Sequence, residues 1–158
     1  MEAMRILKVS KLPLARTVRI ALWAGHERST RGSAAYANEL KTRDSERLYL
    51  YLNLDSGGGR IRGLQVQERL ESAPIAERWL APLRSEGQGF VSVRMSLGSD
   101  QYSFDREKLP NAVLIQDPLF GVRPYHRNMD FSDYLVEDDL KQSAALVAWV
   151  LYRASNEQ

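Results

Sequence analysis

The sequence predicts an α/β fold in which a parallel sheet is covered by helices. Residues 48–54 (LYLYLNL) alternate leucine with tyrosine or asparagine, the period of two that a β-strand produces. Residues 16–25 show the same alternation, and residues 33–40 between these segments carry apolar residues at helical spacing. Strand, helix and strand in this order predict a right-handed crossover between parallel strands. The chain of 158 residues suits a single compact domain.

The remaining elements are predicted by the same patterns. Residues 136–153 are predicted to form a closing helix, because an acidic first turn and Arg153 in the last turn both favour the helix dipole. Residues 1–15 are assigned to an N-terminal arm or edge strand, centred on residues 5–12, and residues 16–158 to the domain. The other predicted helices are residues 63–70 and 75–83, and the other predicted strands are residues 90–97, 102–105 and 111–116.

A glycine loop follows the strand at residues 48–54. Large side chains on both faces of that strand predict a central strand that is covered on both sides. Gly57, Gly58 and Gly59 come directly after it. Glycine permits backbone conformations in which several N–H groups point at one ligand. The loop is therefore a candidate binding site for an anion or a peptide backbone.

Composition excludes several classes of protein. The chain has no cysteine, which excludes disulfides and thiolate metal sites. Its two histidines, His26 and His126, are too few and too far apart to indicate a metal cluster, so no metal or other cofactor is predicted. There is no run of roughly 18 apolar residues, and the first residues lack the pattern of a secretory signal. These observations predict a cytoplasmic protein with no membrane contact.

The two halves of the chain differ in charge. Residues 1–63 contain 12 basic residues (Lys and Arg) and 6 acidic residues (Asp and Glu). Residues 64–158 contain 10 basic and 14 acidic residues. The basic half raises the hypothesis of a nucleic-acid-associated module, but no block of Lys and Arg marks a binding arm, so solvated faces of opposite sign are favoured. The phosphate contacts under that hypothesis are Arg16, Arg19, Arg28, Arg31, Arg60 and Arg62.

Four segments together resemble the proteolytic subunit of the Clp protease (ClpP), within the ClpP and crotonase superfold. Residues 48–59 (LYLYLNLDSGGG) resemble that family's YLYINSPGGS, and residues 18–25 (VRIALWAG) its VIFLTG strand. Residues 109–121 resemble its LPNARVMIHQPLGG, and residues 130–147 its closing helix. The resemblance implies a repeated β-β-α architecture in which Gly57, Gly58 and Gly59 form an oxyanion hole.

The sequence departs from that family where catalysis would occur. A Clp-type peptidase needs a serine, a histidine and a carboxylate. The family's histidine falls on Gln116 and its aspartate near Asn128, and its serine turn is absent. The weak candidates for a displaced nucleophile are Ser96, Ser99 and Ser103. The family's helical handle is also missing, and residues 72–89 are extra, forming either an added covering helix or an ordinary packing helix.

Three functions remain after these observations. The leading prediction is a catalytically inactive ClpP-like subunit with a structural, regulatory or peptide-binding role. Its partners would be copies of itself, ClpP-like subunits, an AAA+ unfoldase or a peptide. One alternative is an active serine-type hydrolase with a rebuilt site, in which His126 or Asp117 comes near Ser96, Ser99 or the glycine loop. The other is the basic nucleic-acid-associated module, which is disfavoured because Trp23, Tyr49 and Tyr51 are expected to be covered.

Overall fold

The described part of the chain folds into five α-helices and a four-stranded sheet, as its computed structural model shows. The structure describes residues 1–43, 48–55, 57–117, 128 and 131–157. No helix within those ranges is both long and apolar enough to cross a membrane. The helices are α1 (Glu2–Ser10), α2 (Arg31–Arg43), α3 (Ala73–Leu80), α4 (Gln101–Arg106) and α5 (Glu137–Asn156), and the strands are β1 (Tyr51–Asn53), β2 (Ile61–Gln65), β3 (Phe90–Ser92) and β4 (Asn111–Gln116).

The sheet is mixed, with the strand order β1-β4-β2-β3. β1 pairs with β4 in parallel and β2 pairs with β3 in parallel, whereas β2 and β4 are antiparallel. The prediction of an α/β domain with helices around a sheet is confirmed, but the prediction of a wholly parallel sheet is wrong. Only residues 54–60 separate β1 from β2, too few for a long crossover, so the chain reverses direction between them. β2 is therefore antiparallel to β4, which lies between the two strands and runs parallel to β1.

The helix predicted at residues 63–70 is not found: residues 63–65 belong to β2, and a turn at residues 67–68 leads to a 3-10 helix at Leu70–Ser72. Ile61 and Leu64 in β2 are fully buried, and both pair with β4 in a ladder that contains an irregularity between Ile61 and Gly63. Gly63 explains the strand, because a Cβ atom built on it would lie 1.7 Å from the carbonyl oxygen of Phe90. The absence of a side chain lets β3 approach β2 closely.

Three further predictions need correction. The expected edge strand or arm at residues 5–12 lies largely within α1, because Ala3 and Leu7, four residues apart, pack on Ala148 of α5. Residues 102–105 are helical in α4. The strand at residues 48–54 is reduced to β1, which lies at the end of the described strand order, so its predicted central position is wrong.

The strongest apolar patterns are confirmed. The predicted helices at residues 33–40, 75–83 and 136–153 correspond to α2, α3 and α5, and the predicted strand at residues 111–116 is β4. The predicted strand at residues 90–97 begins with β3 but is shorter. α3 contributes Ala76, Trp79 and Leu80 to the main core, so the segment at residues 72–89 contains an ordinary packing helix.

Two cores cover the two faces of the sheet. The main core joins β2 and β4 to α3 and α5 through residues such as Leu64 and Leu146, and Leu50 and Leu52 pack against it. Tyr51, between those two leucines, packs instead against a second core built around Phe104. Leu50, Tyr51 and Leu52 thus alternate between the two cores, as the period of two requires, whereas Tyr49 packs against the same core as Leu50. The prediction that both faces of this strand are covered is confirmed.

Replacement of Gly63 by alanine should destabilise the protein by roughly 1–3 kcal/mol, as overpacking of a close backbone contact does. The new Cβ atom would clash with the Phe90 carbonyl and force β3 away from β2. Urea unfolding followed by circular dichroism measures the effect. The control is Leu70→Ala, at a position 68% exposed, which should change the free energy of unfolding by less than about 0.5 kcal/mol. Equal stability of the two variants would contradict this account of β2.

Candidate active site

A tight loop connects residues 17–23 to α2; the structure assigns no strand to these residues, so the strand predicted at residues 16–25 is not found. Residues His26–Arg28 form one turn of 3-10 helix, preceded by Gly25 at φ 70° and followed by Ser29 at φ 65° and Thr30 at φ 51°. Positive φ is unfavourable for a β-branched residue such as threonine. Gly32 allows the turn to close, since a Cβ atom there would lie 2.6 Å from the Ala24 carbonyl oxygen. The loop directs His26 across the carboxyl end of β1.

His26 lies between two aspartates that come from other parts of the chain. Its Nδ1 atom is 2.7 Å from Oδ2 of Asp100, at the start of α4, and its Nε2 atom is 3.8 Å from Oδ2 of Asp55, just after β1. The hydrogen bond to Asp100 raises the pKa of His26 above its ordinary value; burial opposes this effect, and the charge of Asp55 adds to it. These three residues are called the His26 cluster below.

One face of β1 supports the His26 cluster. Tyr51, Asn53 and Asp55 are spaced two apart and therefore point to the same side of the strand. The Tyr51 hydroxyl donates a hydrogen bond of 2.8 Å to Asn53 Oδ1 and receives one of 3.0 Å from the Trp23 indole. The Tyr51 ring stacks on Phe104 with centroids 3.8 Å apart. Burial raises the pKa of Tyr51, so its hydroxyl remains a neutral donor.

The amide of Asn53 connects β1 to the loop before α4. Its Nδ2 atom donates to Ser99 Oγ at 2.9 Å and to Gln101 Oε1 at 3.0 Å. The Ser99 hydroxyl in turn donates to Oδ2 of Asp55. Asn53, Ser99 and Gln101 are all buried. The position of the Asp55 carboxylate therefore depends on a chain of buried hydrogen bonds.

A cavity of about 400 Å³ opens beside the His26 cluster. Asp100 is 6% exposed, and its Oδ1 atom is buried without a hydrogen-bond partner among the described residues. A buried carboxylate oxygen of this kind is an acceptor for a donor group on a ligand or for water. The residues that line the cavity are His26, Glu27, Ser29, Thr30, Gly98, Ser99, Tyr102 and Arg106.

The glycine loop lies apart from the residues that line this cavity. A Cβ atom on Gly59 would lie 2.2 Å from the Asp117 carbonyl oxygen, so this glycine allows a close contact between two backbone segments. Gln116 donates a hydrogen bond of 3.1 Å to the Gly59 carbonyl oxygen. Gly57 has φ 124° and is exposed, and Gly58 is half-buried. The structure thus brings Gln116 to the predicted oxyanion loop but gives Gly59 a packing role.

The other predicted residues are scattered. Ser96 is hydrogen-bonded to Gln67 and Gln101, and Ser103 to Ser33; only Ser99 lines the cavity, where it contacts a carboxylate rather than a histidine. Asn128 is an exposed turn residue, and Asp117 pairs with Arg62. His126 lies outside the described residues.

The arginines proposed as phosphate contacts are partly engaged within the chain. The Nε atom of Arg60 is 2.8 Å from Oδ1 of Asp139, and the Nε atom of Arg62 is 2.7 Å from Oδ2 of Asp117. Arg16 donates to the carbonyls of residues 154, 155 and 157 and stacks over the Tyr49 ring. Of the six arginines named under that hypothesis, Arg60 and Arg62 are thus paired with carboxylates of the chain itself.

Sequence reasoning missed the His26 cluster. It took His26 as too isolated for a metal site and did not connect it to Asp55 or Asp100, although His26 and Asp100 are in contact at a separation of 74 residues. One signal was available. His26 and Asp55 each follow a predicted strand, and ligands in α/β proteins bind beyond the carboxyl ends of strands.

Replacement of Asn53 by alanine should lower the free energy of unfolding by about 1–3 kcal/mol, because its buried partners lose their hydrogen bonds. The groups left without Asn53 are the Tyr51 hydroxyl, Ser99 Oγ and Gln101 Oε1. Thermal or urea unfolding measures the loss. Asn128→Ala, the same change at an exposed turn, is the matched control and should have little effect. Similar stabilities for both variants would show that the network does not hold β1 to α4.

His26 should make stability depend on pH. Its pKa is higher in the folded state than the value of about 6.5 in the unfolded chain. The folded state therefore binds the proton more tightly, so the contribution is fully present below about pH 6.5 and is lost as pH rises through the folded pKa. Urea unfolding between pH 5 and pH 9 should show this decline in the native protein and a flatter profile in His26→Gln. A decline of equal size in both proteins would assign it to other groups.

Comparison with known proteins identifies the fold. The model of peptidase family M28 matches residues 1–151. No curated protein matches the sequence. The structure is similar to the peptidase M28 precursor from Shewanella amazonensis SB2B, with a TM-score of 0.85 and 22% identity over 99% of this chain and 36% of that one.

Two aminopeptidase structures are similar as well. The zinc aminopeptidase from Bacillus subtilis gives a TM-score of 0.76 and 24% identity, over 99% of this chain and 40% of that one. The LapA aminopeptidase of Legionella pneumophila gives a TM-score of 0.74 and 22% sequence identity, over 99% of this chain and 44% of that one. The chain thus spans less than half the length of each of these three solved structures.

These matches correct the family resemblance drawn from the sequence. The ClpP-like assignment, the crotonase-type repeated β-β-α architecture and the inactive ClpP-like subunit are wrong, because the family match covers nearly the whole chain and the matched folds are those of M28 proteins. The four short motifs were local features of strands, turns and helices. By its sequence match, the chain belongs to peptidase family M28.

Proposed function

We propose that this chain forms part of a peptidase that acts on the amino end of peptides. Membership of peptidase family M28 supports peptide hydrolysis, and the similarity to two aminopeptidases supports the amino end as the point of attack. This proposal is close to the active hydrolase considered from the sequence, with a different set of residues. Ser96, Ser99 and His126 are replaced as catalytic candidates by the His26 cluster.

The observation that carries the proposal is the contact between His26 and Asp100 beside the cavity. The Nδ1–H group of neutral His26 donates to the buried Asp100 carboxylate, which leaves Nε2 as the acceptor. An imidazole held in this way can accept a proton from a water molecule that attacks a peptide carbonyl, and the carboxylate stabilises the imidazolium that forms. His26 is therefore the proposed general base and Asp100 the residue that orients it.

The carboxylates in and next to the cavity suit the free amino group of a peptide: Glu27 lines the cavity, and Asp55 and Asp100 lie against His26, which lines it too. Oδ2 of Asp55, a partly exposed residue, is 3.8 Å from Nε2 of His26, and Oδ1 of Asp100 has no hydrogen-bond partner among the described residues. A carboxylate forms strong charge-assisted hydrogen bonds with an ammonium group. A peptide whose amino end entered the cavity would place its first peptide bond close to His26.

The zinc of the Bacillus subtilis relative requires a separate test against the residues present. Among the described residues, no three His, Cys, Asp or Glu side chains are grouped so that they could hold a metal ion. Nδ1 of His26 is engaged with Asp100, and Oδ2 of Asp55 accepts a hydrogen bond from Ser99. The described residues alone therefore do not fit a zinc site, and the steps proposed above use only side chains of this chain.

The proposal predicts hydrolysis of aminoacyl-7-amido-4-methylcoumarin substrates by the purified protein. Substrates with different first residues are assayed by fluorescence, with and without added Zn²⁺. His26→Gln should lower kcat/KM by about 10²–10⁴-fold, the range that a general base contributes. Asp100→Asn should lower it as well, whereas the matched change Asp133→Asn, at an exposed position, should not.

Two results would overturn this function. One is a folded protein with no turnover of any substrate under either condition. The other is full activity in His26→Gln. A cytoplasmic location is part of the proposal. Cell fractionation tests the location independently of activity.

A further inference from the structure

The turn that follows β2 has an unusual backbone. Gln67 and Glu68 are its two central residues, and both have positive φ, 52° and 60°. A hydrogen bond of 3.0 Å from Arg69 N to the Val66 carbonyl oxygen closes the turn. A turn with positive φ at both central positions ordinarily contains asparagine, aspartate or glycine there, because this backbone conformation is unfavourable for other residues. The reason for a glutamine at this position must therefore lie in the contacts of its side chain.

The Gln67 side chain is buried and binds one residue twice. Gln67 is 3% exposed. Its Oε1 atom accepts a hydrogen bond of 3.0 Å from the Ser96 backbone N–H, and its Nε2 atom donates one of 3.1 Å to Ser96 Oγ. The backbone of the turn is joined separately to the chain after β3, since Glu68 N donates to the Val93 carbonyl oxygen at 2.9 Å. The amide is therefore not needed to close the turn, and its two bonds fix both the backbone and the side chain of Ser96.

Ser96 connects the turn to the start of α4. Gln101, the first residue of that helix, donates from Nε2 to the Ser96 carbonyl oxygen at 3.2 Å and to Ser96 Oγ at 3.1 Å. The Ser96 hydroxyl thus accepts from the amides of both Gln67 and Gln101. The Oε1 atom of Gln101 accepts in turn from Asn53. All three amides are buried, so Gln67 belongs to the same buried network as Asn53.

Residues 97–100 lie between the two ends of this network and form part of the candidate site. Gly98 lines the cavity, and Asp100 is hydrogen-bonded to Nδ1 of His26. Gly98 has φ 89°, and a Cβ atom on it would meet no described atom within 4 Å other than those of its chain neighbours. Packing therefore does not hold the segment at Gly98. Its course depends on the hydrogen bonds at its two ends, of which Ser96 is one.

We propose that Gln67 is a positioning residue for the His26 cluster: its amide holds Ser96, and Ser96 holds the segment that presents Asp100 to His26. Gln67 is not among the residues that line the cavity, so it acts only through these neighbours. Unfavourable backbone conformations persist where the surrounding structure imposes them, and they are concentrated at functional sites. The effect on catalysis rests on the proposed function, whereas the effect on His26 itself does not.

The pKa of His26, followed by proton NMR between pH 5 and pH 9, tests the proposal without an activity assay. The hydrogen bond to Asp100 raises this pKa, burial opposes the effect, and the charges of Asp55 and Glu27 add to it. Gln67→Gly removes the amide, relieves the positive φ and leaves all three acidic residues in place. It should weaken the bond between Asp100 and His26, so the pKa of His26 should fall towards its ordinary value. His26→Gln identifies the His26 signal, since the chain has one other histidine.

Glu68→Gly is the matched control. It relieves positive φ in the same turn, but the Glu68 side chain is exposed and has no hydrogen bond or ion pair with another described residue. This variant should leave the pKa of His26 unchanged. Gln67→Asn is the second test variant, used where Gln67→Gly does not fold. Asparagine tolerates positive φ, but its side chain is one carbon shorter and cannot make both bonds to Ser96, so the pKa of His26 should fall here too. Circular dichroism confirms that each variant is folded.

Turnover of the aminoacyl substrates gives a second measurement. Gln67→Gly should lower kcat by about 10–100-fold and change KM little, because displacement of a catalytic group impairs the reaction more than substrate binding. Glu68→Gly should keep the native kcat. A native protein without turnover would contradict the proposed function, while the comparison of His26 pKa values would still decide the role of Gln67.

Two outcomes would overturn the proposal. One is an unchanged pKa of His26 in a folded Gln67 variant, because Gln67 would then serve only the turn. The other is an equal fall of this pKa in Gln67→Gly and Glu68→Gly, because the backbone of the turn rather than the Gln67 amide would then be responsible.

Discussion

The buried amide of Asn53 is the interaction on which the candidate site depends. It accepts from Tyr51 and donates to Ser99 and Gln101, so it connects a strand to the segment that precedes α4. A buried amide without partners would be unfavourable by a few kcal/mol. This requirement fixes the distance between β1 and α4, and with it the distance between Asp55 and Asp100. The aromatic core around Phe104 excludes water from these hydrogen bonds and strengthens them.

The loop that carries His26 has an unfavourable backbone that its surroundings stabilise. Ser29 and Thr30 both have positive φ, which costs of order 1–3 kcal/mol for each residue. Two backbone hydrogen bonds, from Thr30 to His26 and from Gly32 to Ala24, close the turn. The Thr30 hydroxyl also lies 3.2 Å from that of Ser103 in α4. The same helix thus fixes the histidine loop and supplies the aspartate that orients the histidine. Strain at this point is consistent with a functional role for the loop.

The family match explains why local motifs misled the interpretation of function. Alternating apolar residues followed by glycines describe a strand and a turn, and unrelated α/β proteins share both. In this chain, Gly59 and Gly63 meet backbone atoms of Asp117 and Phe90, so their small size serves packing. A resemblance built on such residues reports features of local structure and does not establish ancestry. The family match extends over residues 1–151, whereas each of the four motifs covers a short segment.

The sequence by itself determined the elements whose pattern is strong and local. The apolar run of β4, the acidic first turn of α5 and the helical spacing in α2 and α3 were sufficient, because each pattern reports which side of one element is buried. Residues 63–70 and 102–105 were assigned wrongly, because short segments with a few apolar residues fit a helix or a strand equally well and neighbouring elements decide between them. Only the tertiary structure brought His26, Asp55 and Asp100 together. Their contact depends on packing between elements far apart in the chain, and periodicity within one element carries no information about that distance.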